Sequence, residues 1–173
     1  MITLTEELLL LTIGDDGAVS HAAGTSAFAT ALLGAALIDL TQCRCIDVDL
    51  HTVRLGKHQP TQLAHLDLVL QRLALDAKHG QVPGPAEWLR LHSVESAQLM
   101  RLSLEQLVQR GILGVQDRRV FWVGKKRCYP VVQGQELQEA KLRLLAALLG
   151  EAQVPTPHDT ALIGLARVGQ VLE

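Results

Sequence analysis

The sequence from residue 26 to residue 41 is Ser-Ala-Phe-Ala-Thr-Ala-Leu-Leu-Gly-Ala-Ala-Leu-Ile-Asp-Leu-Thr, and Asp39 is its only charged residue. A helix at a protein surface carries a polar stripe opposite its apolar face, and this segment has none. It is therefore predicted to be a helix that is buried on all sides. Because its Ala residues and Gly34 are small, neighbouring elements can pack closely around it. The rest of the fold is predicted to be arranged around this central helix.

The remaining sequence is mostly helical in pattern, so the predicted fold class is mainly α, a single helical domain around the buried apolar helix. Thr3 and Glu6 have the spacing of a capping box, which predicts a helix that starts there and includes the leucine run to Leu11. An i,i+4 pair of Glu139 and Arg143 is expected to support a later helix. Helical periodicity predicts the other helices over about residues 60–77, 86–91, 94–110, 136–149 and 159–172.

Two segments change to an alternating pattern of apolar and polar residues. Ile46, Val48 and Leu50 alternate with polar neighbours, which predicts a short strand pair near residues 45–55. A projecting β-hairpin is predicted near residues 115–123, with its turn at residues 117–119. The loop at residues 80–85 is the clearest internal boundary, but each side of it is small. One domain over residues 1–173 is therefore expected.

Composition and charge narrow the class of protein. The chain has 173 residues and a net charge of −2, which argues against a chain that is basic throughout and binds nucleic acid through its whole surface. Its three cysteines, without a basic N-terminal leader, predict free thiols and a cytoplasmic location. The longest apolar run is shorter than the roughly 20 residues that cross a bilayer, so membrane contact is expected to be peripheral.

The segment 111–131 combines positive charge with aromatic rings. It holds three of the five aromatic residues of the chain and five of its sixteen Lys and Arg residues. Its charge is about +4 between residues 117 and 127, whereas the remainder of the chain carries about −6. Apolar rings between clustered cations suit a surface that meets an anionic and partly apolar partner. The cations are Arg118, Arg119, Lys125, Lys126 and Arg127, and the rings are Phe121, Trp122 and Tyr129.

The order of several short segments resembles the Golgi phosphoprotein 3 family, in its prokaryotic type. The matching residues lie in the correct order along the whole chain. They are Leu4-Thr5-Glu6-Glu7-Leu8-Leu9-Leu10-Leu11, Leu37-Ile38-Asp39-Leu40, Pro60-Thr61 with Leu66-Asp67, Leu107-Val108-Gln109-Arg110-Gly111-Ile112-Leu113, and Ala161-Leu162-Ile163 with Val171-Leu172-Glu173. The resemblance implies a helical fold with a projecting hairpin. It also implies peripheral membrane association through phosphatidylinositol 4-phosphate, and adaptor activity in eukaryotic members.

The sequence departs from the family pattern at the lipid headgroup pocket. The family uses one Trp and several Arg residues there, and the matching positions in this chain are Gly24, Leu33, Ala97 and Met100. The arginine-rich N-terminal extension of the eukaryotic adaptors has no counterpart here. Family members also continue beyond the equivalent of Glu173, which implies a short or truncated member. Lipid identity, protein partner and homo-oligomer formation stay open.

The basic-aromatic hairpin is the predicted binding site, for an anionic phospholipid at a membrane surface. Phe121 and Trp122 are expected to insert at the membrane boundary, where Trp is favoured. The five cations, with Arg101 as a weaker candidate, are expected to bind lipid headgroups, each contributing on the order of 1 kcal/mol. The alternative is that the two rings are core residues of a small sheet and the cations are merely solvated. Arg101 could equally pair with Glu105.

A winged-helix regulator that binds DNA is the alternative function. A short helix with Trp88, a longer helix to Arg110 and a basic β-wing is also the order of elements in that class. The presumed recognition helix, however, offers few groups that read bases beyond Gln98, Arg101 and Gln109. Nucleic acid is therefore the less favoured partner.

No enzyme, metal site or cofactor is predicted. The sequence has no nucleophile elbow, phosphate-binding loop, zinc-protease pattern or dinucleotide fingerprint. Cys43, Cys45, Asp47, Asp49 and His51 share one parity in a strand, but a single strand spreads its side chains too far apart to surround zinc.

Overall fold

A computed structural model describes residues 2–56, 60–80, 82–120, 124–148 and 155–172, and for residues 118–120, 124–126, 136 and 147–148 it describes the backbone. The described part is mainly α, as predicted. The helices are α1 Leu4–Leu10, α2 Ser26–Gln42, α3 Ala64–Lys78, α4 Pro85–Leu91, α5 Ser96–Gln109, α6 Gln135–Leu148 and α7 Pro157–Val168. The antiparallel strand pairs are β1 Ile46–Val48 with β2 Val53–Leu55, and β3 Gln116–Val120 with β4 Gly124–Cys128.

Helix α2 is the central element of the fold. It packs against α1, α3, α5 and α7. Its buried residues are Phe28, Ala31, Leu32, Leu33, Ala35, Ala36, Leu37, Asp39 and Leu40. The remaining face, with Ala27, Thr30, Gly34 and Ile38, is partly exposed. Thr25 caps its start, because the Thr25 hydroxyl accepts from the Phe28 amide at 3.1 Å. The prediction of a central, mostly buried helix is therefore confirmed, but the helix is not enclosed on every side.

Helix α1 is held at its N-terminus by a carboxylate from α2. The predicted capping box of Thr3 and Glu6 is present. In addition, Asp39 Oδ1 accepts from the Leu4 amide at 2.9 Å. Asp39 Oδ2 accepts from the Thr5 amide at 2.9 Å and from the Thr5 hydroxyl at 2.6 Å. Burial raises the pKa of Asp39, although these hydrogen bonds act in the opposite direction. One buried side chain thus joins two helices that are far apart in sequence.

The acids of α1 attach three further helices. Glu6 is fully buried and lies 3.2 Å from Arg110, at the end of α5. Glu7 lies 2.7 Å from Arg143 of α6 and 2.7 Å from His158 of α7. Buried charges are tolerated when they are paired in this way. These contacts of Glu6 and Glu7 therefore connect α5, α6 and α7 to α1.

The predicted Glu139–Arg143 pair is wrong. In the described part of the chain, the ion-pair partners of Arg143 are Glu7 and, at 3.1 Å, Asp159. Glu139 accepts instead from the Gln135 side chain at 2.9 Å. The buried carboxylate of Glu7 needs a cation more than an exposed glutamate does, because it has lost its hydration.

Two helix boundaries differ from the predicted ones. Helix α3 begins at Ala64 rather than residue 60, because Asp67 Oδ1 accepts from the amide and hydroxyl of Thr61 at 2.7 and 2.8 Å. Those bonds hold residues 61–63 outside the helix, and Gln62 has a left-handed φ of 63°. Helix α7 ends at Val168 rather than residue 172, because Gln170 also takes a left-handed conformation, with φ of 57°.

His65 is a buried histidine beside the Asp39 carboxylate. It is fully buried at the start of α3, and its Nε2 lies 3.4 Å from Thr3 Oγ1. Burial lowers its pKa to about 4, although the Asp39 and Asp67 carboxylates act in the opposite direction. The folded state therefore favours the neutral ring.

We expect Asp39→Asn to lower the free energy of unfolding by about 1–3 kcal/mol, because an amide cannot accept from all three donors of Leu4 and Thr5. Urea denaturation at neutral pH measures this change. Asp47→Asn, at an exposed position of β1, is the matched control and should change stability by less than about 0.5 kcal/mol. An Asp39→Asn loss no larger than that of the control would show that the interhelical bonds contribute nothing.

We expect His65 to make folding less favourable in acid. Its pKa is about 4 in the folded chain and about 6.5 when unfolded, so between these values the unfolded chain binds more protons. Stability conferred by the neutral ring is therefore present above pH 6.5 and is lost as the pH falls towards 4. Asp39, with its raised pKa, titrates in the opposite sense.

The contribution of His65 is isolated by comparing how the free energy of unfolding of wild type and of His65→Leu depends on pH. Between pH 7 and pH 4.5 the free energy of unfolding of the wild type should fall by about 2 kcal/mol more than that of His65→Leu. Denaturation curves at several pH values measure it, and His79→Gln, at an exposed position, should give no such difference. Parallel pH profiles for wild type and His65→Leu would contradict the assignment.

Candidate functional site

The basic hairpin consists of β3 and β4, which pair in antiparallel register. Asp117 lies opposite Arg127, Arg118 opposite Lys126, and Arg119 opposite Lys125. Five of the predicted site cations are thus backbone partners within one two-stranded ladder. Like charges directly opposite each other in a strand pair are destabilising.

The predicted position of the turn is wrong. Asp117, Arg118 and Arg119 lie inside β3 rather than in a turn, and the second strand is β4 rather than residues 120–123. The pattern was misleading because residues 120–123 are good strand formers by composition. The register is decided instead by the base of the hairpin, where Gln116 pairs with Cys128 and Cys128 is buried.

The base of the hairpin is fixed to the body of the protein through Gly17. The Tyr129 amide donates to the Gly17 carbonyl at 2.6 Å, and the Gly114 amide donates to the Pro130 carbonyl at 2.8 Å. Gly17 has a φ of +75°, and a Cβ there would lie 2.6 Å from the Pro130 nitrogen. Only glycine fits this position. The strands therefore project from a defined anchor.

The structure describes the side chain of one predicted hairpin cation and the backbone of the other four. Arg127 is exposed, and its Nε lies 3.8 Å from Asp117 Oδ1, with both side chains more than half accessible. Arg118, Arg119, Lys125 and Lys126 are located by their backbone positions in the ladder. Phe121 and Trp122 lie outside the described residues. Their insertion into a membrane therefore stays a prediction.

Arg101 lies on α5 and is engaged with a neighbouring acid. Its Nη1 lies 2.6 Å from Glu105 Oε1, and both side chains are about half exposed. This is the simple pair that the sequence allowed. Arg101 is consequently a weaker candidate than the cations of the hairpin.

A cleft of about 430 Å³ lies between the start of α2 and the start of α5. Gly24, Ala97 and Met100, three of the four positions matched to the family headgroup pocket, line this cleft, whereas Leu33 is fully buried in the core. The family resemblance implied that these positions share one pocket, and three of the four do. The other lining residues are Ala23, Thr25, Ser26, Phe28, Ala29, Leu32, Ser93, Val94 and Ser96, so no lining residue carries a formal charge.

A polar cluster behind this cleft positions one of its walls. Arg72 Nε donates to His92 Nδ1 at 3.2 Å, and His92 Nε2 lies 3.0 Å from Asp76 Oδ2. Trp88 Nε1 donates to the same Asp76 oxygen at 2.8 Å. Glu95 lies 3.1 Å from Arg72. The cluster fixes the 3₁₀ turn Ser93–Glu95, and the scattered sequence positions of its members hid it from sequence analysis.

Cys43 and Cys45 precede the strand pair of β1 and β2, which is built by ordinary structural interactions. Asp49 Oδ1 accepts from the amides of His51 and Thr52 at 2.7 Å each, which closes the turn and lowers the pKa of Asp49 to about 2. Burial raises the pKa of the Cys45 thiol, which disfavours the thiolate that binds metals. The described residues contain no group of three or more His, Cys, Asp or Glu side chains placed to hold a metal ion.

None of the described helices is both long enough and apolar enough to cross a membrane. A search of curated proteins finds no match to the chain. The family model for Golgi phosphoprotein 3 (GPP34) matches residues 4–173, which is nearly the whole sequence. The matched region includes α1, α2, α3, α5 and α7, which contain most of the residues that carry the sequence resemblance. The chain therefore belongs to the Golgi phosphoprotein 3 (GPP34) family.

Proposed function

We propose that this protein binds anionic membrane surfaces peripherally, through the hairpin formed by β3 and β4. The observation that carries the proposal is the register, which pairs Arg118 with Lys126 and Arg119 with Lys125 in one ladder. A hairpin of this length does not need so many cations to form its strand pair. An anionic lipid surface would relieve their repulsion.

The ladder itself contains one acid, Asp117, and five cations. Asp117 and Arg127 are 3.8 Å apart and well exposed, and exposed pairs of this kind contribute only about 0–1 kcal/mol. Arg127 can therefore exchange Asp117 for a lipid phosphate at little cost. Cations near an anionic leaflet contribute about 1 kcal/mol each, so four or five of them give reversible binding.

Phe121 and Trp122 supply the apolar part of the proposed contact. In the sequence they lie between Val120, the last residue of β3, and Gly124, the first residue of β4. Aromatic residues next to clustered cations are typical of segments that bind at the boundary of headgroups and acyl chains. Insertion and charge would then act together at one end of the molecule.

The lining of the α2–α5 cleft supports a contact that is driven by charge rather than by headgroup identity. Thr25 Oγ1 already donates to the Ala22 carbonyl at 2.8 Å and accepts from the Phe28 amide. Ser96 Oγ donates to the Ser93 carbonyl at 2.7 Å. With two of its four hydroxyls in use and no charged residue in the lining, the cleft offers little to a phosphoinositide. Phosphatidylinositol 4-phosphate is therefore implied by the family resemblance alone.

Vesicle sedimentation tests the charge component. Wild type should sediment with phosphatidylcholine vesicles that contain phosphatidylserine, and not with phosphatidylcholine alone. Binding should weaken between about 0.05 M and 0.5 M salt, because screening shortens the range of the attraction.

Replacing Arg118, Arg119, Lys125 and Lys126 by Gln should weaken binding at least about tenfold. The matched control replaces four exposed cations on other elements by Gln, namely Arg54, Lys78, Arg90 and Lys141. It changes the net charge equally and should bind more tightly than the hairpin variant. An equal loss of vesicle binding in the two quadruple variants would show that total charge, not the hairpin, drives binding.

Insertion is tested with the double variant Phe121→Ala with Trp122→Ala. We expect it to retain its response to salt but to sediment several-fold less, because the apolar area that enters the bilayer is gone. Leu50→Ala with Leu75→Ala, at exposed apolar positions elsewhere, is the control and should bind as wild type does. Sedimentation of the aromatic double variant at the wild-type level would remove insertion from the proposal.

Mobility shifts with duplex DNA distinguish the winged-helix alternative. The order of α4, α5, β3 and β4 is compatible with that layout, although Arg101 is paired with Glu105. Salt-sensitive binding to DNA without binding to vesicles would replace the membrane proposal by the DNA-binding one.

A further inference from the structure

A second cleft, of about 760 Å³, lies between the 3₁₀ turn His21–Gly24 and the end of α7. It shares Thr25 with the α2–α5 cleft but has a different chemical character. Its lining consists of Ser20, His21, Ala22, Thr25, Arg167, Gln170, Val171 and Leu172. The lining residues come from two segments that are far apart in sequence. They include a guanidinium, an imidazole, two hydroxyls and an amide.

Arg167 and His21 have no acid beside them among the described residues. Among the described residues, neither Arg167 nor His21 has a carboxylate within ion-pair distance, whereas Arg54, Arg72, Arg90, Arg101, Arg127 and Arg143 all have one. The lining itself contains no Asp or Glu. Its charged and protonatable groups are thus all of one sign. A cleft of this composition attracts an anion.

The hydrogen-bonding capacity of the lining also favours an acceptor ligand. Thr25 is not available, since its hydroxyl both donates and accepts within the protein. Ser20 Oγ accepts from the Ala22 amide at 3.3 Å, which leaves the Ser20 proton free to donate. Arg167 offers a fork of N–H groups, and Gln170, exposed at its left-handed position, can turn its amide N–H towards a ligand.

Arg167 has an alternative role, because cations at the end of a helix interact favourably with its dipole. Three of the last four carbonyl groups of α7 already accept from backbone amides, however. Leu165 accepts from the Gly169 amide at 2.8 Å, Ala166 from the Val171 amide at 2.9 Å, and Arg167 itself from the Gln170 amide at 3.2 Å. The end of α7 therefore does not require the guanidinium as a cap.

We propose that this cleft binds a phosphomonoester group, either of a small soluble molecule or of a lipid headgroup at a membrane surface. Arg167 would bind two phosphate oxygens through parallel N–H groups, and His21 and Ser20 would donate to the others from the opposite wall. A tetrahedral dianion suits donors that converge from several directions, and guanidinium forks match phosphate geometry. The site is separate from the hairpin, so it goes beyond the membrane function proposed above and does not rest on it.

Amide resonances measured by NMR test the proposal directly. Inorganic phosphate is added to the ¹⁵N-labelled full chain, with sodium chloride at matched ionic strength as the reference. Saturable shifts are expected for the amides of residues 20–25 and 167–172. Shifts confined to the hairpin strands would not support the proposal. Arg167→Gln should weaken the apparent affinity at least about tenfold, since a charge-assisted pair of hydrogen bonds is lost. Arg167→Lys should retain part of it.

Control variants separate binding from folding. Arg90→Gln, at an exposed and paired arginine of α4, should leave the titration unchanged. His21→Gln tests the opposite wall and should weaken binding without a change in thermal stability. Thermal unfolding of Arg167→Gln and Arg167→Lys shows whether α7 is intact. If both variants unfold as wild type does and bind phosphate equally well, the proposal is overturned.

A second arm identifies the source of the phosphate. The quadruple hairpin variant is sedimented with phosphatidylcholine vesicles that contain either phosphatidic acid, a phosphomonoester, or phosphatidylglycerol, a phosphodiester. Preference for phosphatidic acid that disappears with Arg167→Gln assigns the site to a lipid headgroup. A phosphate titration without such preference assigns it to a soluble ligand. If Arg167→Gln changes neither the phosphate titration nor the vesicle sedimentation, the proposed site is overturned, whatever the result for the hairpin.

Discussion

The Asp39 carboxylate is the constraint on which the other contacts of the fold depend. It accepts three hydrogen bonds from Leu4 and Thr5, and so fixes the start of α1 against the middle of α2. Every residue of α1 is buried, so this short helix cannot rely on solvent to satisfy its free N-terminal amides. A carboxylate from another helix satisfies them and complements the dipole of α1 at the same time. The position and direction of α1 are thereby set.

Once α1 is fixed, its two glutamates hold the elements that lead into the hairpin and the second cleft. Glu6 holds Arg110, the residue that ends α5 and precedes the chain into β3. Glu7 holds His158, at the start of α7, whose other end supplies Arg167 to the second cleft. The hairpin and the second cleft are therefore attached to the core through neighbouring residues of one helix.

The sequence alone was sufficient for features that depend on local pattern. The missing polar stripe of α2 and the capping box of α1 need no knowledge of distant residues. Contacts between distant residues were not predictable in this way. The pairing of Arg143 with Glu7 spans most of the chain and displaces an i,i+4 pair that the local pattern favoured. The register of β3 and β4 was missed for the same reason, because it is set by burial of Cys128 and by the contact of Gly17 with Tyr129.

The distribution of charge explains why a chain with a net charge of −2 can still be suited to an anionic surface. Three of its acids, Glu6, Glu7 and Asp39, are buried and have internal partners, so they contribute little field outside the protein. Screening limits the reach of exposed charges to about 10 Å at ordinary salt, so a partner at the hairpin responds to the local cations and not to the total charge. The exposed acids elsewhere would then orient the molecule, because they favour an approach in which the hairpin faces the anionic surface. Local charge, not net charge, is therefore the physically relevant quantity for this member of the family.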